Sequence, residues 1–282
     1  MIEYIKIIIM SIFTGVLLPL PTSAAAHYSY LNIVLDFSES EEVLGFYYSV
    51  MTLVFSALIF VFFRKIYITS LKNLVNRNGE NKNKDYRNLI IGTSLSLPVS
   101  LVLCIPVSTD RLLMDYFDLF LKGNGMLLTA LASIISGVLF ITAFWYTSKS
   151  DNPKIKLISV KSSLRLSFYQ LFSYVIPGLS HVCTAGTNLL ISDIEPGRLM
   201  AHIYTYMARQ MFFISIIKII RGIACEAVIN PVVVIICVFV SALASWLFMS
   251  LSTKVNMKKL MVFFSIYSVI IGLFIAVGSF II

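Results

Sequence analysis

Three imidazoles in this sequence can take up or release a proton near neutral pH: His27, His181 and His202. His27 closes the run Pro19-Leu20-Pro21-Thr22-Ser23-Ala24-Ala25-Ala26-His27, and His181 follows Pro177-Gly178-Leu179-Ser180. His202 lies in the apolar segment after the second run. Taken singly, each is most simply a satisfied core histidine, but all three at or beside two proline breaks favour a shared site. Proline removes a helix donor and frees a carbonyl, and a helix that restarts after a break presents backbone N–H groups with partial positive charge. Hydroxyls of Ser23, Ser180 and Thr184 stand beside those groups, and small residues such as Gly178 let a ligand approach the backbone. The combination suits a phosphate or carboxylate held where Pro21 to His27 faces Pro177 to Thr184. Arg209, in an apolar stretch, can pair with such an anion, with Glu226 or with a carbonyl. An amphiphile fits best, its anionic head between the breaks and its tail leaving through the helices into lipid.

The elements that must position these groups are membrane helices. The chain has 282 residues, 58% hydrophobic and 13% charged, with a mean hydropathy of +0.89, far from the roughly 25% charged of soluble domains. Apolar stretches recur along the whole length, so the chain reads as one integral membrane domain, 1–282. No polar block is long enough to fold alone, and nucleic-acid binding is excluded. The net charge of +8 falls mainly in short loops and is a topology signal before it is a ligand signal. Cys104, Cys183, Cys225 and Cys237 have no metal-binding or disulfide-framework spacing. Thr22 to Ala26 imitates a signal-peptidase site, but the count of spans needs this segment retained.

Residues 43–63, 88–109, 124–148, 227–253 and 260–282 are free of charge over lengths that cross about 30 Å of hydrocarbon. A sixth span, 199–217, carries His202 and Arg209 and should face protein or a water-filled cavity. Two further apolar stretches, 2–35 and 166–192, are broken at their proline runs and read as re-entrant helical hairpins. Loop charge agrees with that count. Residues 64–87 carry seven basic side chains against two acidic, 149–165 five against one, and 254–259 three against none. These loops belong to the cytoplasm, and the acidic links 36–42 and 109–123 belong outside. Each half is then a broken hairpin followed by three spans, 1–148 and 166–282. Since three is odd, the second half enters from the opposite face. Pro21 and Pro177 are 156 residues apart, as are Val43 and Leu199. The expected fold is an all-α inverted-repeat bundle of six transmembrane helices and two re-entrant hairpins, a transporter-like plan with its site where the breaks meet.

At these breaks the sequence resembles the undecaprenyl-pyrophosphate phosphatases of the bacitracin-resistance type. Their first motif, G-x-T-E-F-L-P-[IV]-S-S-[ST]-G-H, aligns with Gly15 to His27, and their second, P-G-x-S-R-S-G, with Pro177 to Cys183. The resemblance extends to motif order, length, the basic loops and the closing helices. It implies a polyprenyl diphosphate carrier lipid met near the outer face of a bacterial plasma membrane, and hydrolysis to the monophosphate. The chain departs from the family at the residues that do the chemistry. Family glutamates fall on Thr14, Leu18 and His202, the second motif serine on Ala24, and the phosphate-binding arginine on His181. Retained are Gly15, Leu20, Pro21, Ser23, His27, Pro177, Gly178 and Ser180.

Two catalytic routes follow from what remains. His27, His181 and His202 converge as acid, base and phosphate donor, with His27 the general base or nucleophile and His181 the phosphate donor, or together they hold a divalent metal that activates water, although no helical H-x-x-x-H spacing marks such a site. Ser23, Ser180, Pro21, Gly178, Thr184 and Arg209 would orient the head group. The rival class is a non-catalytic flippase or a lipid-sequestering immunity protein, for which the missing acids are no loss.

Overall fold

The computed structural model describes residues 2–37, 39–75, 94, 97–98, 101–108, 111–113, 125–149, 159–176, 178–192, 194, 199–224, 229–254 and 257–279. Among these, four helices precede a small hairpin: α1 Ile2–Leu17, α2 Ala24–Val34, α3 Glu41–Phe62 and α4 Arg64–Val75. Strands β1 Pro106–Ser108 and β2 Arg111–Leu112 pair antiparallel. Six helices follow: α5 Gly125–Ser148, α6 Val160–Val175, α7 His181–Ile191, α8 Leu199–Ala224, α9 Pro231–Lys254 and α10 Met257–Gly278.

The helices are apolar outward and carry their small polar residues inward, the reverse of a soluble bundle. On α9, Phe239, Leu243 and Trp246 are exposed whereas Ser241 and Ser245 are buried; on α10, Phe263, Ile270 and Phe274 face out and Ser265 and Ser268 face in. Lipid chains are as apolar as leucine, so helices in a membrane associate through close contact of small residues and through hydrogen bonds rather than by hiding large apolar groups. The α5–α10 pair follows this rule: a Cβ added at Gly137 would meet the Ser265 carbonyl oxygen at 2.5 Å, and one at Gly272 the Ala130 carbonyl oxygen at 2.7 Å. Among the described residues, Glu42–Phe62, Gly125–Thr147, Pro231–Ser252 and Met261–Gly278 are long and apolar enough to cross a membrane.

Helix α8 is the longest, 26 residues or about 39 Å, and it carries Arg209, Lys218 and Arg221. It packs along α3 and also touches α7. The main core gathers between α3, α5, α7 and α8, around Phe55, Phe140, Leu189, Ile203 and Tyr204, all at most 1% exposed. Helices that hold the same order in the two halves of the chain lie side by side, α3 with α8 and α5 with α10.

Several boundaries differ from the sequence reading. Half of the range 88–109 lies outside the described residues. Its described end is a 3-10 turn, Val102–Cys104, running into β1. Pro106 brings no N–H and holds Ile105 extended (φ −65°, ψ 126°), which turns the chain out of helix before residue 109. The segment expected from 166 begins helix at Val160, capped by Ser159, whose Oγ accepts from the Ser162 N–H. Helix α8 continues past 217 to Ala224, and α4 forms inside the basic 64–87 loop.

Candidate functional site

Both proline runs interrupt helix at the residues that proline chemistry dictates. Helix α1 stops at Leu17, and three carbonyls near the first run find donors elsewhere in the bundle. The Tyr204 hydroxyl donates to the Pro19 carbonyl at 2.7 Å, Ser268 Oγ donates to the Pro21 carbonyl at 3.2 Å, and Ser245 Oγ donates to that of Gly15 at 2.9 Å. The Cys183 thiol, from the second run, also donates to Pro21, at 3.0 Å. The two breaks therefore touch. Ser23 is extended (φ −86°, ψ 100°) and caps α2, its Oγ accepting from the Ala26 N–H at 3.2 Å.

The second run repeats this construction, its cap Ser180 standing 157 residues after Ser23. Ile176, before Pro177, is extended (φ −100°, ψ 106°) and ends α6. Gly178 has φ +102°, and any Cβ there would strike the Thr129 carbonyl oxygen, so only glycine fits. Ser180 caps α7, its Oγ accepting from the Cys183 N–H at 3.2 Å. The equivalence extends one turn further. His27 Nδ1 sits 2.7 Å from the Ser23 carbonyl, and Thr184 Oγ1 donates to the Ser180 carbonyl at 2.8 Å.

The histidines end in three separate surroundings. A carbonyl only accepts, so His27 carries its proton on Nδ1, and its Nε2 accepts from the Tyr267 hydroxyl at 3.1 Å, the two rings stacking at 5.7 Å. His181 Nδ1 lies 2.6 Å from Ser173 Oγ, and its ring packs on Tyr174 at 4.3 Å. Ser173 Oγ also reaches the Gln170 carbonyl at 2.8 Å and Gln170 Oε1 at 3.1 Å; when its one proton goes to Gln170, His181 carries its own proton on Nδ1 and Nε2 is the base. Fully buried Gln170 fixes this corner by donating from Nε2 to the His181 carbonyl at 2.9 Å. His202 is buried within α8. Among the described residues no three His, Cys, Asp or Glu side chains could hold a metal ion, so the three-histidine metal set does not form.

Beside the second break lies a cavity of about 600 Å³. One wall comes from α2 and α3, with Ala25, Ala26, Tyr28, Asn32, Tyr48 and Thr52; the other from the end of α6 and from α8, with Ser173, Tyr174, Met211, Ser215 and Lys218. His181 opens onto it. Of the residues singled out in the sequence, only His181 lines this cavity. Pro21, Ser23, Gly178 and Ser180 are buried in the breaks, and Thr184 turns back on its own helix. Arg209 donates to Ser94 Oγ at 2.9 Å and lies 5.8 Å from the Tyr67 ring centroid. Sequence reasoning missed Lys218, Ser173, Tyr174 and Asn32. The available signal was the second cation within an apolar helix, nine residues past Arg209.

A family model described as bacitracin resistance protein BacA matches residues 7–274. The chain belongs to the BacA family. No curated protein matches it. As a BacA-family chain with several apolar helices, it is a multi-pass membrane protein of the undecaprenyl pyrophosphate phosphatase type. The positions at which BacA-type motifs carry acids are packed shut here: Leu18 and Thr14 are at most 3% exposed. The Thr14 hydroxyl is buried with no hydrogen-bond partner.

Proposed function

We propose that this protein binds a polyprenyl diphosphate in the cavity beside the second break and hydrolyses its terminal phosphate, with His181 as the general base. One observation carries the reading: His181, held at Nδ1 by Ser173 and at its main-chain carbonyl by Gln170, lines a cavity whose walls mix hydroxyls with apolar side chains. Its Nε2 takes a proton from water as the oxygen attacks the terminal phosphorus. The bond from that phosphorus to the bridging oxygen breaks, giving inorganic phosphate and the polyprenyl monophosphate. The apolar walls, including Ile33, Leu44 and Ile275, suit the first units of the tail.

The proposed architecture has six spans and two re-entrant hairpins, α1–α2 and α6–α7, in an inverted repeat across 1–148 and 166–282. It is supported by the matched serine caps, by the contact of the two breaks, and by the pairing of helices of equal rank. With loops 64–87, 149–165 and 254–259 in the cytoplasm of a bacterial plasma membrane, Leu44 and Gly45 set the cavity on the outer side, next to the acidic 36–42 link.

Phosphate release from undecaprenyl diphosphate by the purified protein in nanodiscs tests the proposal. Release that falls by about 100-fold in His181→Ala, with lipid still bound, is the expected result. A second reading, a flippase or a sequestering protein without chemistry, is favoured by Tyr267, which already occupies His27 Nε2. Lipid binding without release by the wild type would select it, and neither binding nor release would overturn both.

A further inference from the structure

Lys218 is a half-buried cation on α8 whose side chain lines the cavity together with His181. Among the described residues it has neither an ion-pair nor a hydrogen-bond partner; the ion pair that forms there is between Lys6 and Glu3. An ammonium in an apolar helix bundle without a counter-charge is costly, and it has three donors and no acceptor, so it can be matched only by an anion or by acceptor oxygens. Two more cavity residues carry unanswered groups. The Tyr174 hydroxyl and the Asn32 side-chain oxygen are buried with no hydrogen-bond partner. A cation and an unused hydroxyl donor thus border one space, while Arg209 is engaged elsewhere with Ser94 and Tyr67.

We propose that Lys218 is the residue that selects the head group by charge, receiving the diphosphate of the ligand with help from the Tyr174 hydroxyl. This rests on the carrier-lipid reading above. It also adds a specificity that reading lacks. An ammonium acts as a point charge rather than a geometric fork, so its contribution follows the charge of the ligand more than its shape. A diphosphate is then held more tightly than a monophosphate, and an alcohol of the same tail gains nothing from it.

The test uses the full chain in detergent and three probes with one tail: farnesyl diphosphate, farnesyl monophosphate and farnesol. Wild type should bind them in that order. Lys218→Gln should weaken the diphosphate by about ten-fold or more and leave farnesol unchanged, because the lost hydrogen bond is charge-assisted only where the ligand carries charge. Lys218→Arg should restore most of the loss. Lys218→Met, which keeps the apolar stem, guards against a folding defect in the glutamine variant, and thermal midpoints of all variants should match wild type. Diphosphate binding by folded Lys218→Gln and Lys218→Met at wild-type strength would overturn the role of Lys218 and leave the carrier-lipid reading standing. Wild type that binds the diphosphate no better than farnesol would overturn the carrier-lipid reading itself.

Discussion

At the first proline break, carbonyls of Pro19 and Pro21 are answered from within the bundle, by Tyr204, Ser268 and Cys183, and both nitrogens of His27 are engaged. At the second break, a histidine keeps one nitrogen uncommitted, a tyrosine hydroxyl has no partner, and both line a cavity that also receives Lys218. The local construction is nevertheless the same, a proline run followed by a serine cap and a new helix. The difference lies in what packs against each. The first break is locked by long-range contacts from α7, α8, α9 and α10, whereas the second leaves one side of His181 to the cavity. Two breaks built alike can thus differ in their surroundings, the first closed by packing and the second bordering a cavity.

Histidine substitution tests that division most strongly. His181→Ala should lower phosphate release by about 100-fold, the usual loss for a positioned base, whereas His27→Ala should cost less than about ten-fold. The measurement is turnover at saturating lipid, with binding followed in parallel. Equal large losses in both variants would mean that the first break still takes part in the chemistry, through a rearrangement that frees His27 from Tyr267.

Gly178→Ala disrupts the second break at its backbone. The positive φ alone disfavours a side chain by roughly 1–3 kcal/mol, and the contact with the Thr129 carbonyl adds to that. A lowered thermal midpoint and loss of binding at the cavity are expected together, since Gly178 sets the entry to α7 and hence the position of His181. Ala24→Gly, at the first break, should cost far less binding.

The apolar helices were legible because long charge-free runs are imposed by the bilayer itself, and the breaks because proline cannot continue a helix. The serine caps follow from the same local chemistry. The site was less legible. His27 and His181 look equivalent along the chain, but the Tyr267 that ties up His27 is 240 residues away, and no local pattern reports it. Lys218 fell just beyond the range 199–217, where a lysine reads as the polar end of a span; in the structure α8 continues to Ala224 and brings it to the cavity wall. The strand Pro106–Ser108 was hidden at the end of an uncharged run, because hydropathy measures burial and not conformation.

The smallest expected effect concerns the caps. Ser23→Ala and Ser180→Ala each remove one acceptor from the first turn of a helix, a loss of about 1 kcal/mol where the freed N–H has no other partner. In stability the two variants should therefore be close, each lowering the thermal midpoint by a similar few degrees. In function they should part. Ser180 precedes His181 directly, and fraying of α7 would loosen the Gln170 and Ser173 contacts that hold the imidazole at the cavity. Fraying of α2 at Ser23 moves His27, which is tied to Tyr267, and leaves the cavity cation and base in place. Ser180→Ala should then weaken farnesyl diphosphate binding or turnover several-fold, and Ser23→Ala should cost less, since α2 lends Ala25 and Ala26 to the cavity wall but holds neither the base nor the cation. Equal functional losses at equal stability would show that the two breaks work as a single unit.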